Sequence, residues 1–185
     1  MKSSIKRGIA FICTAFLLLS GYAQHRVGVY ATPQYNITSK GLAFNGGAYY
    51  EKDMQAYTFL IGLGYMYMGC PFKDILGGTS IQKMNFLSIP IGGGYQYELA
   101  DNLMLDIQGI AGLNYLVKSS AQEDLSGMKR LGMSINFGIG CTYLFSDNIG
   151  VSLLPTVSGT MVFATEKPLY WGVGGQIRFF YAFGY

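Results

Sequence analysis

The chain has 185 residues with 26 Gly, 15 Tyr and 12 Phe, and only 12% of its residues are charged, for a formal net charge of +3. That excess is a property of the first two dozen residues: Lys2, Lys6 and Arg7 account for three of 13 basic residues, and the remaining chain carries ten basic against ten acidic groups. A balanced charge excludes the broad basic face that nucleic-acid binding requires, so no nucleic-acid partner is expected.

The basic start is followed by an apolar run from Ile9 to Leu19 and then Ser20, Gly21, Tyr22 and Ala23. This order makes residues 1–23 a secretory signal peptide, cleaved before Gln24. A membrane-spanning helix needs roughly 20 apolar residues, more than this run supplies. Tyr22 stands where a lipidated cysteine would follow Leu19-Ser20-Gly21, and Cys13 lies within the removed segment. Residues 24–185 then form one domain, whose short runs of Gly, aromatic and β-branched residues argue for an all-β fold.

Strands send alternate side chains to opposite faces, so period-two patterns mark them. The first is expected over 26–36, with Val27, Val29, Ala31 and Tyr35 on one face, and a weakly alternating second over 42–51. Glu51-Lys52-Asp53-Met54 reads as a tight turn into a third strand over 55–68, where Tyr57, Phe59, Ile61, Leu63, Tyr65 and Tyr67 share a face. A connection over 69–82 precedes a fourth strand over 83–98, and the turn 99–102 leads to a fifth over 103–117. After a polar connection over 118–130, the sixth strand carries Leu131, Met133, Ile135, Phe137, Ile139, Cys141, Tyr143 and Phe145 on one face. Ser146-Asp147-Asn148 turns into a seventh strand over 149–163, and an eighth runs from about residue 169 to the end.

In that last stretch Val173, Gly175, Ile177, Phe179, Tyr181, Phe183 and Tyr185 face one way, while Gly174, Gln176, Arg178, Ala182 and Gly184, with Phe180 as the exception to small or polar, face the other. A ladder of aromatic groups with no following element to cover it fits hydrocarbon. Phe179, Tyr181, Phe183 and Tyr185 resemble the C-terminal signal by which outer-membrane barrels are recognised, so lipid and the barrel-assembly machinery are the partners implied.

Eight strands, each long enough to cross a bilayer when tilted, give an eight-stranded antiparallel up-and-down transmembrane β-barrel. Connections after strands two, four and six are short, and those after one, three, five and seven are mostly longer. That parity implies an outer-membrane location with both chain ends in the periplasm. On the outward face, Tyr50, Tyr57, Phe59, Tyr95, Tyr97, Tyr143, Phe145, Tyr181 and Phe183 form one aromatic band. Tyr35, Phe44, Tyr65, Tyr67, Tyr115 and Phe163 form the other. Pro33, Pro90 and Pro155 fall within strands and lack the N–H that a ladder uses, so a local bulge or bend is expected at each. The facing of Phe86 near Pro90 stays open. Cys70 and Cys141 fall near opposite ends and are expected to be unpaired.

No catalytic, cofactor or metal site is expected. The single histidine, His25, sits two residues into the processed chain, where a mobile end is expected, and no nucleophile–base pair can be built on it. Two distant cysteines and one histidine do not suit zinc. The Gly pairs complete no nucleotide fingerprint. The remaining constellation is inside: Glu98, Asp106 and Arg178 share the inward face toward the short-turn end. An eight-stranded lumen is just filled by side chains, so Arg178 is expected to meet a carboxylate there, as a polar plug or as the gate of a minor pore. The connections 69–82 and 118–130 are the candidate surfaces for an extracellular ligand or partner.

Phe86-Leu87-Ser88-Ile89-Pro90, followed by Ile91-Gly92-Gly93-Gly94-Tyr95-Gln96-Tyr97, resembles the PorT-like outer-membrane β-barrel family of the Bacteroidetes. Gly138-Ile139-Gly140, the Ser146-Asp147-Asn148 turn and the last strand also look like that family's pattern. The family often has an acidic residue where this chain has Ser88, so no role of that charge carries over. The resemblance implies an outer-membrane barrel with a non-enzymatic structural or interaction role. A small channel or transport accessory, or a component of a protein-secretion system as in some relatives, are the alternatives.

Overall fold

The computed structural model describes residues 24–54, 56–73, 79–119, 130–163 and 169–184. The expected signal peptide, most of the 118–130 connection and Tyr185 lie outside the described residues. Eight antiparallel strands follow one another around a closed barrel: β1 (His25–Asn36), β2 (Gly41–Met54), β3 (Tyr57–Lys73), β4 (Thr79–Ala100), β5 (Leu103–Ser119), β6 (Leu131–Ser146), β7 (Ile149–Val162) and β8 (Leu169–Phe183). The barrel closes where β1 pairs with β8, from His25 opposite Phe183 to Asn36 opposite Gly172. Closure leaves no unpaired sheet edge along the seam, which a spanning sheet requires because hydrocarbon offers backbone groups no partners.

Alternation in sequence becomes two surfaces. Ile61, Leu63, Ile89, Ile135, Ile139, Leu153 and Ile177 project outward and exposed, while their neighbours Leu60, Ser88, Leu154 and Gln176 are buried in the lumen. Toward the end with the short turns (the turn end) the outward face carries Tyr57, Tyr95, Tyr97, Tyr143, Phe145, Tyr181 and Phe183. Tyr35, Phe44, Tyr65, Tyr115, Phe163 and Trp171 lie toward the opposite, loop end. An apolar belt around the whole barrel far exceeds the patches that water-soluble monomers expose, and two aromatic bands bounding it are interfacial girdles. Tyr57 and Tyr95 pack edge to face with centroids 5.6 Å apart across β3 and β4.

Small residues leave the lumen room. A Cβ on Gly64 would run into the Tyr30 hydroxyl, and one on Gly140 into the Leu153 carbonyl on the neighbouring strand. Both positions therefore need glycine for close approach.

Three expectations change. Glu51–Met54 is not a turn: β2 continues through Met54, with Glu51 opposite Leu60 and Asp53 opposite Thr58. The connection over 69–82 is mostly strand, because β3 and β4 keep pairing from Gly69 opposite Lys83 to Lys73 opposite Thr79. The prolines produce no bulge. Rungs are missing beside Pro33 between β1 and β8, beside Pro90 between β3 and β4, and beside Pro155 between β6 and β7, yet each ladder resumes in register. A strand can omit one hydrogen bond without inserting a residue. The irregularities fall elsewhere, at Asn85/Phe86 and Glu98/Ala100 along β4–β5 and at Leu144/Ser146 along β6–β7. Phe86 points inward and is fully buried.

Cys141 is a free thiol exposed on the outward face of β6. In a Cys70→Ser background reconstituted into vesicles, it is expected to resist a charged, water-soluble maleimide and to react with an apolar one. Equal labelling by both reagents would show that this face meets water.

Candidate functional site

The lumen is layered. At the loop end Met66, Met68, Met84, Phe86, Leu116, Val162 and Tyr170 pack into one apolar cluster. Toward the turn end Tyr30, Tyr49, Leu60, Phe180 and Ala182 form another, with Ile110 and Leu144 against it. Apolar side chains inside a barrel of eight strands fill the space a water column would need.

The charged layer lies among the residues of the second cluster. Arg178 of β8 donates from one terminal nitrogen to Glu51 Oε2 at 2.9 Å and from the other to Asp106 Oδ2 at 2.5 Å. The second nitrogen also reaches Ser152 Oγ at 3.3 Å. Arg26 of β1 donates to Glu51 Oε1 at 3.0 Å, Gln96 Oε1 at 2.9 Å and Asp53 Oδ2 at 2.8 Å. Thr142 Oγ1 donates to Asp106 Oδ2 at 3.1 Å and lies 2.7 Å from Ser152 Oγ. Arg26, Glu51, Asp106 and Arg178 are each at most 2% exposed. Every strand except β3 contributes a side chain to this network, so it ties the barrel across its diameter as well as around its wall.

The packing suits the charges. The Arg26 guanidinium sits 5.0 Å from the Phe180 ring centroid and that of Arg178 5.6 Å from Tyr49, close enough for cation–π attraction. Each guanidinium engages two carboxylates, the arrangement its fork of donors favours. With ion partners and ring faces supplied, two arginines can be held out of water.

Of the expected cluster, Arg178 and Asp106 meet and Glu98 does not. Glu98 is exposed near the end of β4, beside the register shift that separates it from Ala100. Its parity is inward, but at that height the lumen has opened to solvent. Glu51 takes the place expected of it. Arg26, Glu51, Asp53 and Gln96 complete the layer, and parity held the signal for the first two: with Val27 and Tyr50 outward, Arg26 and Glu51 must point inward. His25 is ordered within β1, with Nδ1 2.6 Å from the Tyr50 hydroxyl and its ring near Phe183. Phe179, Tyr181 and Phe183 line the outward face of β8 as the alternation requires.

Above the charges, toward the middle of the barrel, Tyr30, Ser88, Asn136, Gln176 and Arg178 line a small cavity of about 20 Å³. That is room for about one water molecule. Gln176 donates to Thr32 Oγ1, and Ser158 to Gln34 Oε1, across strands that lie far apart in sequence. The arrangement can hold side chains and water in fixed positions. Its hydroxyl–carboxylate contact, Thr142 to Asp106, is buried and shared with the Arg178 ion pair.

No protein-family model and no curated protein sequence matches the chain. Solved structures match its fold. The chain is similar to Neisserial surface protein A, with a TM-score of 0.59 at 10% identity, over 84% of this chain and 95% of that one. It is also similar to Ail, the attachment invasion locus protein of Yersinia pestis, solved in complex with the heparin analogue sucrose octasulfate. There the TM-score is 0.52 at 13% identity, covering 87% of this chain and 97% of that one. At such identities the likeness is one of fold: a closed eight-stranded transmembrane barrel.

Proposed function

We propose that the chain is an integral outer-membrane protein whose lumen is a fixed plug and whose role is non-enzymatic, structural or in interaction. One observation carries this reading: the outer wall is apolar all round, while the described lumen is filled by a buried ion-pair layer and an apolar layer. With these two layers filling the described lumen, this reading puts function on the lipid-facing wall and the loop end.

In this reading residues 1–23 direct export and are removed, and the outward ladder Phe179, Tyr181 and Phe183, with Tyr185 following in sequence, serves recognition by the assembly machinery. The turn end and both chain ends lie in the periplasm, and the segments 69–82 and 118–130 belong to the outer side. Membership of the PorT-like family is supported by Phe86-Leu87-Ser88-Ile89-Pro90, in which Leu87 and Ile89 meet lipid while Phe86, Ser88 and Pro90 pack inside. The complex of Ail with a sulfated sugar is a precedent for a ligand on a barrel of this fold. A second reading, a minor channel gated by Arg178, draws on the small polar cavity beside that residue.

The test has two parts. Membrane-fractionated protein is expected to migrate differently on a gel before and after boiling, as folded barrels do; the same mobility in both lanes rejects the barrel in a membrane. Planar bilayers containing the folded protein are expected to show no stable conductance steps. Steps that disappear or change size in Arg178→Ala support the channel instead.

A further inference from the structure

The lipid-facing wall is not uniform. Along one row across β6, β7 and β8, Ile135 lies opposite Gly159 and Gly159 opposite Trp171. Glycine between two large exposed side chains makes a notch, and the rows above and below deepen it, with Met133 opposite Met161 on one side and Phe137 opposite Val157 on the other. The resulting groove has a volume of about 320 Å³ and is walled by Met133, Ile135, Val157, Met161 and Trp171. The Trp171 ring leans over the glycine, its Cζ3 atom 3.2 Å from where a Cβ would stand. A groove inside the hydrocarbon belt that nothing filled would forfeit dispersion contacts along its whole lining.

Charge says what kind of molecule fills it. All described carboxylates, Glu51, Asp53, Glu98, Asp101, Asp106 and Asp147, belong to the turn half of the barrel. The loop rim instead carries Lys40, Lys83, Lys118 and Arg130. Among the described residues the loop rim is therefore net cationic. Tyr115 of β5 pairs with Leu131 of β6, so Arg130 lies one residue beyond that last rung, three above Met133, and Lys118 lies three residues beyond it on the adjacent strand. The groove lies in the loop half between β6 and β8, below Arg130 at the head of β6 and one strand over from Lys118.

We propose that this groove is a lipid site. It seats one acyl chain of an anionic, phosphate-bearing lipid whose headgroup lies against Lys118 and Arg130. The inference rests on the membrane reading above, with the groove in the outer leaflet. Trp171 closes one wall and, as an interfacial indole, has an apolar body for the chain and an N–H for the headgroup region.

Trp171 is the only tryptophan in the sequence, so its fluorescence reports on this groove alone. The folded protein is reconstituted into phosphatidylcholine vesicles with increasing fractions of acyl-brominated phosphatidic acid or acyl-brominated phosphatidylcholine. Half-quenching is expected at a mole fraction of the phosphatidic acid roughly fivefold lower for each cation engaged. Lys118→Gln with Arg130→Gln should bring the two lipids together. Val157→Phe, which fills the groove, should abolish the strong quenching at low mole fraction for either lipid. Equal quenching in the unaltered protein overturns the site, as does a preference that survives both sets of substitutions. Resistance to quenching by either lipid does so too, because a second copy of the chain would then cover the groove. In each case a normal gel shift on boiling shows that the membrane reading stands and this site alone has failed; a protein without the shift overturns both.

Discussion

Arg178→Ala is expected to lower the unfolding free energy by about 3–5 kcal/mol, the effect of removing one partner from a buried ion pair. Glu51 retains Arg26, but Asp106 keeps only Thr142 and a long contact from Gln96, 3.4 Å away. A carboxylate that is fully buried with neutral partners is costly to leave charged. Urea titration of the protein in detergent or vesicles, read by the boiled-versus-unboiled gel shift, measures the change. The triple substitution Arg178→Met, Glu51→Gln and Asp106→Asn should recover much of the loss, because it removes the unpaired charge along with the pair. An Arg178→Ala midpoint equal to that of the parent would show that the layer carries no structural weight.

Phe86→Ala is expected to be of similar size, about 3–5 kcal/mol, for a different reason. Phe86 has no exposed surface and packs with Met66, Met68, Met84, Leu116, Val162 and Tyr170. Truncation leaves a hole that the rigid wall cannot collapse to fill. Phe137→Ala is the matched control: the residue is 63% exposed on the outward face, where mobile acyl chains would replace the lost atoms. The same urea titration should show a large shift for Phe86→Ala and a small one for Phe137→Ala. Equal shifts would mean that the two faces have been assigned to the wrong sides of the wall.

Most of the architecture could be read from alternation, because a strand between lipid and a narrow lumen has little freedom in what each face carries. The path from Leu131 to Phe145 is the plainest case: large apolar groups outside, Gly, Ser, Asn and Thr inside. Arg178 was legible as well, since a lone charge on an inward face demands a partner. What parity does not encode is height. Glu98 and Asp106 share an inward parity, yet Asp106 is sealed and Glu98 stands in solvent near the rim. The partner missed, Glu51, belongs to Glu51-Lys52-Asp53-Met54, whose composition is that of a turn; pairing with β1 and β3 keeps it in the ladder. The 69–82 segment misleads likewise. Its Gly, Pro, Lys and Asp residues resemble a loop, but a hairpin projecting past the bilayer tolerates them. Proline offered the opposite lesson, since the absence of one donor removes rungs without moving the register.

The connectivity of the charge layer bears on how the barrel comes together. Arg26 and Glu51 belong to one hairpin, and so do Ser152 and Arg178, so each pair can meet while the sheet is still open. Glu51 and Arg178 are 127 residues apart and sit on the two strands flanking β1. They approach only when β8 has docked on β1. Until then the two arginines belong to separate hairpins at opposite ends of the chain. The Glu51–Arg178 bond is in this sense a latch: its formation marks the moment at which an open, curling sheet commits to being a cylinder. A contact of such long range is expected to form late in assembly.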